Sequence, residues 1–266
     1  MNDLAAAVIL GLVQGLTEFL PVSSTAHLIL VSGALGLDPE KFGLSFDVAL
    51  HLGTALAVLL YFAGTWIGLL KDVFARRWKM PLLVIVGTLP AAVAGVLLES
   101  TVARTLRAPI WIVLGLAIGS LIFVVVERIA RQRLAMGALT FGDVIFMGVA
   151  QAVALLPGVS RSGITISAGL VRGLVREEAT RFSFLLATPV ILGAGAKTLL
   201  DARKAAELFR APDILAAGFV VSFVSGLAAV AFLVRFLRTH SLDWFVGYRL
   251  VLAAVVLATM LFGYPV

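Results

Sequence analysis

The sequence contains no cysteine among its 266 residues, and only 14% of the residues are charged. The absence of cysteine excludes a disulfide framework, a thiolate nucleophile and a cysteine-based metal site. Soluble domains carry about 25% charged residues, so the shortage of charge argues against a soluble enzyme. The sequence also lacks Walker A, HExxH and dinucleotide-binding motifs, which carry the commonest phosphate, zinc and cofactor chemistry.

Apolar residues are correspondingly abundant. They make up 61% of the chain, against roughly 45–50% in soluble domains, and a soluble sphere could not hide that much apolar surface. The net charge of +6 comes from basic residues between the long apolar segments, without a basic stripe interleaved with aromatics. We therefore predict a polytopic membrane protein that contacts membrane lipids and binds no nucleic acid. The first apolar segment has neither a basic region before it nor a small-residue cleavage motif after it, so we expect a structural segment and not a removable signal.

Six apolar stretches are long enough to cross a hydrocarbon core of about 30 Å as helices. They are Leu44–Ile67, Pro81–Leu98, Ile110–Val126, Phe182–Leu200, Ile214–Val234 and Phe245–Phe262. Two further stretches, Leu4–Leu37 and Phe141–Leu174, are interrupted by PVSS and PGVSRSG respectively. Irregular backbone at membrane depth is tolerated only when it is buried in protein or lines a wet cavity. We therefore predict an all-α fold of six transmembrane helices plus two re-entrant helix pairs.

Short matches recur at a single offset of 137 residues. Gly11–Gln14 matches Gly148–Gln151, Val22-Ser23 matches Val159-Ser160, Gly36 matches Gly173, and Ala91–Ala94 matches Ala228–Ala231. The offset divides one membrane domain into two repeats, about 1–137 and 138–266. Each repeat holds one interrupted pair and three spans, and three is odd, so the second repeat is predicted to be inverted relative to the first.

The basic residues also predict an orientation. With the N-terminus outside, the cytoplasmic loops hold 12 lysines and arginines and the opposite loops hold 6. Cytoplasmic loops of membrane proteins are enriched in these residues. We therefore expect the N-terminus on the outer side.

The first interruption concentrates chemistry that is costly inside a membrane. Gln14 and Glu18 are four residues apart and share a helix face. After Pro21 a new helix is expected, on which Ser24 and His27 are three apart and lie side by side. The free N–H groups at its start favour anions, and the adjoining hydroxyls are Ser23 and Thr25. The alternative is a polar packing seam between helices.

The second interruption supplies positive charge. Arg161 is expected to project into the middle of the membrane, where a permanently charged guanidinium needs an anionic partner, and its planar fork suits phosphate. The surrounding small and hydroxyl residues let a ligand approach the backbone: Gly158, Ser160, Ser162, Gly163 and Thr165. The alternative is that Arg161 simply pairs with Glu18 as a structural ion pair.

Other ionisable residues are weaker candidates. Asp47 and His51 are four apart on a spanning helix and either line an aqueous route to the site or form a buried hydrogen-bonded pair. Four more lie near predicted segment ends, where an interfacial position is expected: Glu99, Glu127, Asp143 and Arg249.

The motifs EFLPVSSTAH (Glu18–His27) and PGVSRSGITI (Pro157–Ile166), together with FSFLLATPVILG (Phe182–Gly193), resemble the undecaprenyl-diphosphatase family of bacterial enzymes linked to bacitracin resistance. The resemblance runs nearly end to end. It implies hydrolysis of undecaprenyl diphosphate to the monophosphate and inorganic phosphate, which recycles the lipid carrier of cell-wall synthesis. It also implies a multi-pass protein of the bacterial cytoplasmic membrane, with its site open to the periplasm and a divalent cation, Mg²⁺ or Ca²⁺, as cofactor.

The family motifs fall on particular residues of this chain. One family motif consists of Glu or Gln followed, four positions later, by Glu, and it falls on Gln14 and Glu18. Many members have Glu at the first position, where this chain has neutral Gln14. The motif serine and histidine fall on Ser24 and His27, and the motif arginine on Arg161.

The chemistry of diphosphate hydrolysis agrees with these residues, because it needs cationic groups, positioned donors and an in-line nucleophile. We predict Arg161 and the N–H groups around Ser160–Gly163 as the phosphate clamp, and Glu18 with Gln14 as ligands of a hard cation. Ser24 is the preferred nucleophile with His27 as its base. Attack by His27 itself, or by water that it activates, stays open.

Two other functions are compatible with the pattern. A transporter or flippase for a polyprenyl phosphate would use the same inverted, broken helices, but it needs no nucleophile. A structural membrane subunit would need none of the buried charges. The sequence leaves open whether the protein forms a homo-oligomer.

Overall fold

The computed structural model describes residues 2–104, 106 and 108–262. Within these residues the regular structure is α-helical apart from one short 3-10 helix, Met136–Ala138, and Leu134 and Leu174 form the one isolated bridge. The helices are α1 (Asp3–Phe19), α2 (Ser24–Ala34), α3 (Leu44–Tyr61), α4 (Ala63–Phe74), α5 (Lys79–Arg104), α6 (Pro109–Ile129), α7 (Phe141–Val153), α8 (Arg161–Val171), α9 (Arg176–Leu200), α10 (Ala202–Leu208), α11 (Pro212–Phe236) and α12 (Asp243–Leu261).

The predicted all-α membrane fold is confirmed. The described residues include six helices that are long and apolar enough to cross a membrane, namely α3, α5, α6, α9, α11 and α12. Each of them overlaps one of the six predicted spans. Helix α5 ends later than predicted, at Arg104 and not at Leu98, and α9 begins earlier, at Arg176 and not at Phe182. Glu177 and Glu178 lie in its first turn, where carboxylates are favourable beside the free N–H groups.

The first predicted span is shorter than expected. It ends at Tyr61, and Phe62 separates it from α4. No residue of α4 is fully buried. Ile67, Leu70 and Phe74 are exposed on one side of it, at a spacing of three and four residues. This amphipathic pattern is typical of a helix that lies along a membrane surface.

Both interrupted stretches form two helices with an irregular turn between them. The first turn separates α1 from α2, and the second separates α7 from α8. The residue before the returning helix has the same unusual backbone in both, with φ 73° and ψ 92° at Ser23 and φ 75° and ψ 111° at Ser160. The depth of these turns in the membrane stays a prediction.

The packing brings the two turns together. Helix α1 packs along α11, and α7 packs along α5. Helix α3 packs against both α9 and α11, and α6 packs against α12 and α8. The largest apolar core contains Phe19 at the end of α1, Phe123 of α6 and Phe184 of α9. The end of α1 therefore meets the start of α8 inside the bundle.

Two of the four residues expected at the interface do lie at helix ends and form ion pairs there. Asp143 caps the start of α7 with Thr140 and accepts from Nε of Arg172 at 2.5 Å. Glu127 accepts from Arg176 at 2.5 Å and from the Leu242 N–H at 2.8 Å. The side chain of Glu99 lies outside the described residues. Arg249 is different and is described with the site.

Candidate active site

Glu18 is the centre of a buried polar cluster that joins the two interrupted motifs. Its carboxylate is almost fully buried, and Oε1 accepts a hydrogen bond from Nη2 of Arg161. Oε2 accepts from the Ser24 hydroxyl at 2.5 Å and from the Gln14 amide at 3.0 Å. The structure therefore brings together four of the predicted site residues, which come from both halves of the chain.

His51 of α3 is a further member of the cluster. Its Nε2 lies 3.3 Å from Oε2 of Glu18, and its Nδ1 lies 2.7 Å from the carbonyl oxygen of Asp47. Because that carbonyl can only accept, Nδ1 carries a hydrogen, and Nε2 donates to the carboxylate when the imidazole is doubly protonated. The sequence pointed to His51 only as a lining residue or half of a buried pair. Its position four residues after Asp47 on a spanning helix was the available signal.

His27 does not pair with Ser24 as the helical spacing suggested. Its Nδ1 lies 2.7 Å from the carbonyl oxygen of Ser23, and its Nε2 lies 2.6 Å from the Tyr248 hydroxyl. The two rings are stacked with their centroids 5.7 Å apart. Both imidazole nitrogens are thus engaged elsewhere, and the Ser24 proton is directed to Glu18. Spacing along one helix could not predict this, because Tyr248 comes from α12, more than 200 residues away.

Arg161 forms the ion pair with Glu18 that was one of its two predicted roles. It pairs with Glu18 through Nη2, while its Nη1 is buried and has no hydrogen-bond partner among the described residues. A buried guanidinium nitrogen without an acceptor is costly. The free donor therefore fits an anionic oxygen brought in by a ligand.

The smaller residues of the predicted phosphate site mostly hold the two turns against each other. The Ser23 hydroxyl accepts from the Gly158 N–H at 3.0 Å, and the Ser162 hydroxyl donates to the Leu20 carbonyl at 3.2 Å. Gly158 has φ +92°, a conformation that favours glycine. A side chain on Gly163 would collide with the Phe123 ring. These contacts are structural, and they set the distance between Glu18 and Arg161.

The other hydroxyls act within α8. The Ser160 hydroxyl accepts from the Gly163 N–H at 3.3 Å as the helix cap, so this N–H already has a partner. The Thr165 hydroxyl donates to the Arg161 carbonyl at 2.7 Å and contacts the Ser183 hydroxyl at 2.5 Å. No hydrogen bond of the Thr25 hydroxyl is found among the described residues.

The interfacial position expected for Arg249 is wrong, because its side chain is completely buried. It donates to the carbonyls of Pro21 at 3.0 Å and Gly158 at 2.9 Å, one in each turn. It also donates to Ser120 at 3.1 Å, and its guanidinium lies 4.7 Å from the centre of the Phe123 ring. The position in the sequence suggested an interface, but α12 packs on α6 so that residue 249 points at the turns.

One buried oxygen near Glu18 is available to a hard divalent cation. The amide oxygen of Gln14 is buried without a hydrogen-bond partner in the described part of the chain. It lies on the same helix face as the Glu18 carboxylate, and hard cations prefer such oxygen ligands. No group of three His, Asp or Glu side chains suited to a metal is found among the described residues. Substrate oxygens and water would therefore have to complete the coordination.

The arrangement can therefore perform acid–base and phosphate chemistry. A buried carboxylate accepts the hydrogen of a serine hydroxyl, which is how a weak nucleophile is activated. Next to it the guanidinium of Arg161 presents its unpartnered Nη1 to an incoming oxyanion.

Comparison with known proteins places these residues in a family. The family model described as Bacitracin resistance protein BacA matches residues 7–255. The undecaprenyl-diphosphatase of Rubrobacter xylanophilus is 45% identical, covering 98% of this chain and 100% of the relative. The undecaprenyl-diphosphatase of Thermodesulfovibrio yellowstonii is 40% identical, covering 96% and 97%. That of Mycolicibacterium smegmatis is 43% identical, covering 95% of both chains.

Proposed function

The chain belongs to the BacA family of bacitracin resistance proteins, and from this membership we propose how its buried cluster performs the reaction for which its relatives are named. The protein is an integral membrane phosphatase that hydrolyses undecaprenyl diphosphate to undecaprenyl phosphate and inorganic phosphate. The observation that carries the proposal is that the Glu18 carboxylate contacts both Ser24 of its own motif and Arg161 of the distant second motif.

In the first step, Ser24 Oγ attacks the terminal phosphorus of the substrate. Its proton passes to Oε2 of Glu18, which already accepts that hydrogen bond at 2.5 Å. The bond from phosphorus to the bridging oxygen breaks, and undecaprenyl phosphate leaves. Water then attacks the phosphoserine, and the Ser24 oxygen recovers a proton as inorganic phosphate is released.

Arg161 holds the transferring phosphoryl group. Its free Nη1 donates to a non-bridging oxygen, where negative charge develops in the transition state. The ion pair with Glu18 keeps the guanidinium in place before substrate arrives, so little reorganisation is needed. The two alternatives for Arg161, a phosphate clamp and a partner of Glu18, are therefore two roles of one side chain.

His51 and His27 act at different places. His51 positions Glu18 by its contact with Oε2, on the side away from Arg161. His27 is in contact with half-exposed Tyr248. We assign it to proton exchange with the surroundings and not to the removal of the Ser24 proton.

Glu18 and Gln14 would hold a divalent cation, Mg²⁺ or Ca²⁺. When bound, the cation supplies positive charge to the phosphate oxygens. The unpartnered amide oxygen of Gln14 supports this assignment.

We further propose that the two halves form an inverted repeat with the site open to the periplasm. The matching positive φ angles of Ser23 and Ser160, 137 residues apart, support related turns. The first helix of each half packs on a long helix of the other half, α1 on α11 and α7 on α5. This exchange of partners is what a two-fold relation between the halves predicts.

The reaction can be tested by phosphate release from purified protein in detergent, with farnesyl and undecaprenyl diphosphates and with a chelator as the control for the cation. Wild type should release phosphate, and Ser24→Ala should lower turnover by about 10²–10⁴-fold. Ser32→Ala, near the other end of α2, is the matched control and should stay near wild type. Binding without phosphate release would favour the transporter alternative, and near-normal turnover of Ser24→Ala would remove serine from the mechanism.

A further inference from the structure

One end of the helix bundle contains a cavity of about 570 Å³ with several arginines in its walls. It lies where α3 and α11 end and where α9 begins. Its walls include Tyr61 of α3, Glu177 and Arg181 of α9, and Val234, Arg235 and Arg238 at the end of α11. It is separate from the active site, because Tyr61 is ten residues beyond His51 on α3, or about 15 Å along the helix.

The cavity carries a surplus of positive charge. Its one carboxylate, Glu177, is shared between Arg181 at 3.4 Å and Arg238 at 3.1 Å. Arg235 has no ion-pair partner among the described residues. Three guanidinium groups against one carboxylate leave a formal charge of +2 within the cavity. Like charges on the walls of one cavity repel one another, and an anion between them would offset that repulsion.

The cavity walls also favour a particular anion. The guanidinium group of Arg181 lies 5.8 Å from the Phe62 ring centre, and together with Glu177 this ring holds it in position. Planar guanidinium groups bind phosphate oxygens through parallel hydrogen bonds. The cavity is therefore suited to an oxyanion such as a phosphate group.

The position of the cavity at the ends of spanning helices places it at the level of lipid headgroups. Tyr61 lines it, and tyrosine is enriched at that level of the membrane. On the neighbouring helical surfaces, Leu60 is 54% exposed and Phe232 is 52% exposed. A phosphate in the cavity could therefore belong to a lipid whose acyl chains lie along α3 and α11.

The opposite end of the same helices differs in charge. A cavity of about 720 Å³ lies there, beside the starts of α3 and α11. It is lined by four acidic and three basic residues: Asp3, Asp38, Glu40, Glu207, Lys41, Arg203 and Arg210. Its formal charge is thus −1, so of these two cavities only the one lined by Arg181, Arg235 and Arg238, the arginine cavity, has a surplus of positive charge.

We propose that the arginine cavity binds the phosphate headgroup of an anionic phospholipid from the surrounding bilayer. The charge of +2, the arginine geometry and the adjoining apolar surface are the features by which basic pockets between transmembrane helices recognise such headgroups. The site holds a lipid of the membrane and not the substrate of the reaction, since none of its residues belongs to the catalytic cluster.

The test is native mass spectrometry of the delipidated full chain, titrated with phosphatidylglycerol and, separately, with phosphatidylcholine. Wild type should bind the first phosphatidylglycerol at least tenfold more tightly than phosphatidylcholine. The double variant Arg235→Gln/Arg238→Gln should weaken phosphatidylglycerol binding by about 30-fold, since each basic residue near a lipid headgroup contributes about fivefold. Arg128→Gln/Arg131→Gln, which removes two exposed charges at the same end of the bundle, is the matched control and should change it less than threefold.

A third variant protects the test against simple misfolding. Glu177→Gln removes the negative charge and frees two arginines, so it should tighten phosphatidylglycerol binding by about fivefold. An unfolded protein cannot show such a gain.

Equal losses in the two double variants would overturn the proposal, as would equal binding of the two phospholipids. Preferential binding of undecaprenyl phosphate over phosphatidylglycerol, lost in Arg235→Gln/Arg238→Gln, would also overturn it and assign the cavity to the carrier lipid.

Discussion

At the scale of single residues, the site depends on how one buried carboxylate is satisfied. Glu18 has Arg161 on one oxygen, and on the other the Ser24 hydroxyl, the Gln14 amide and His51. A buried charge is stable only when it is paired and hydrogen-bonded. The same contacts aim the Ser24 hydroxyl and leave one guanidinium nitrogen free for substrate, so stability and catalysis depend on the same side chains.

Arg161→Lys should therefore be nearly as inactive as Arg161→Ala. Lysine keeps the charge and much of the ion pair with Glu18, but it cannot donate to Glu18 and to phosphate through the two ends of a planar fork. Misplaced phosphate costs about 10²-fold in rate. Phosphate release and Tm should be measured for both variants, with Arg172→Lys at the other end of α8 as the control.

The two substitutions also separate the roles of Arg161. If it serves only as an ion-pair partner, lysine restores both turnover and Tm. Normal turnover of Arg161→Lys would therefore contradict the phosphate clamp.

His51 should matter through its contact with Glu18. His51→Leu removes a group that faces the carboxylate, and a hydrogen bond to a charged group contributes about 1.5–3 kcal/mol. We expect kcat to fall by about 10–100-fold with little change in KM. His51→Gln keeps an N–H donor and should recover most of that loss.

The control for this pair is His240→Gln, which changes a histidine near the surface that contacts Phe236. It should leave kcat unchanged. A structural role for His51 would instead lower the Tm of the glutamine and leucine variants alike without a selective effect on kcat, and that result would remove His51 from the site.

At the scale of helices and turns, α12 determines how the two interrupted segments meet. Arg249 donates to carbonyls of both turns and of α6, and its neighbour Tyr248 holds His27. Turn carbonyls that point away from any helix would otherwise be unpaired inside the bundle, which is costly. One guanidinium thus satisfies several of them and sets the relative position of the turns.

Arg249→Lys should consequently destabilise the protein although it conserves charge. An ammonium has three donors on one nitrogen and cannot reach carbonyls on opposite sides as a guanidinium does. We expect a loss of about 3–5 kcal/mol, the usual cost of leaving buried polar groups of a charged network unpaired. Thermal unfolding in detergent measures it, with exposed Arg128→Lys as the control. An unchanged Tm would show that the turns are held by their own contacts, such as Ser23 to Gly158.

At the scale of the whole molecule, the prediction concerns orientation in the membrane. The chain has no cysteine, so single cysteines can be introduced at Pro39, between α2 and α3, and at Arg77, between α4 and α5. Pro39 and Arg77 are exposed. With the N-terminus outside, an impermeant maleimide should label Pro39→Cys in intact cells and Arg77→Cys only after permeabilisation. The reverse pattern would overturn the orientation and place the arginine cavity in the outer leaflet.

The sequence by itself determined the fold class, the six spans, the two interruptions and the residues that carry the family motifs. These properties are local. About twenty consecutive apolar residues predict a spanning helix, and a proline with serines inside such a run predicts an interruption, wherever the segment lies in the fold. The family resemblance is confirmed over nearly the whole chain. The motif residues Glu18, Ser24 and Arg161 were identified because buried ionisable and hydroxyl groups are conspicuous in an apolar sequence.

The tertiary structure alone decided which of these polar groups touch. Whether Ser24 donates to His27 or to Glu18, whether His51 faces a carboxylate, and whether Arg249 lies at an interface or in the core depend on how α3, α6 and α12 pack. A polar side chain inside a membrane protein depends on the partners that its neighbours provide, because lipid cannot form hydrogen bonds with it. Neighbours more than 200 residues apart, such as His27 and Tyr248, are set by helix packing and leave no trace in the local pattern.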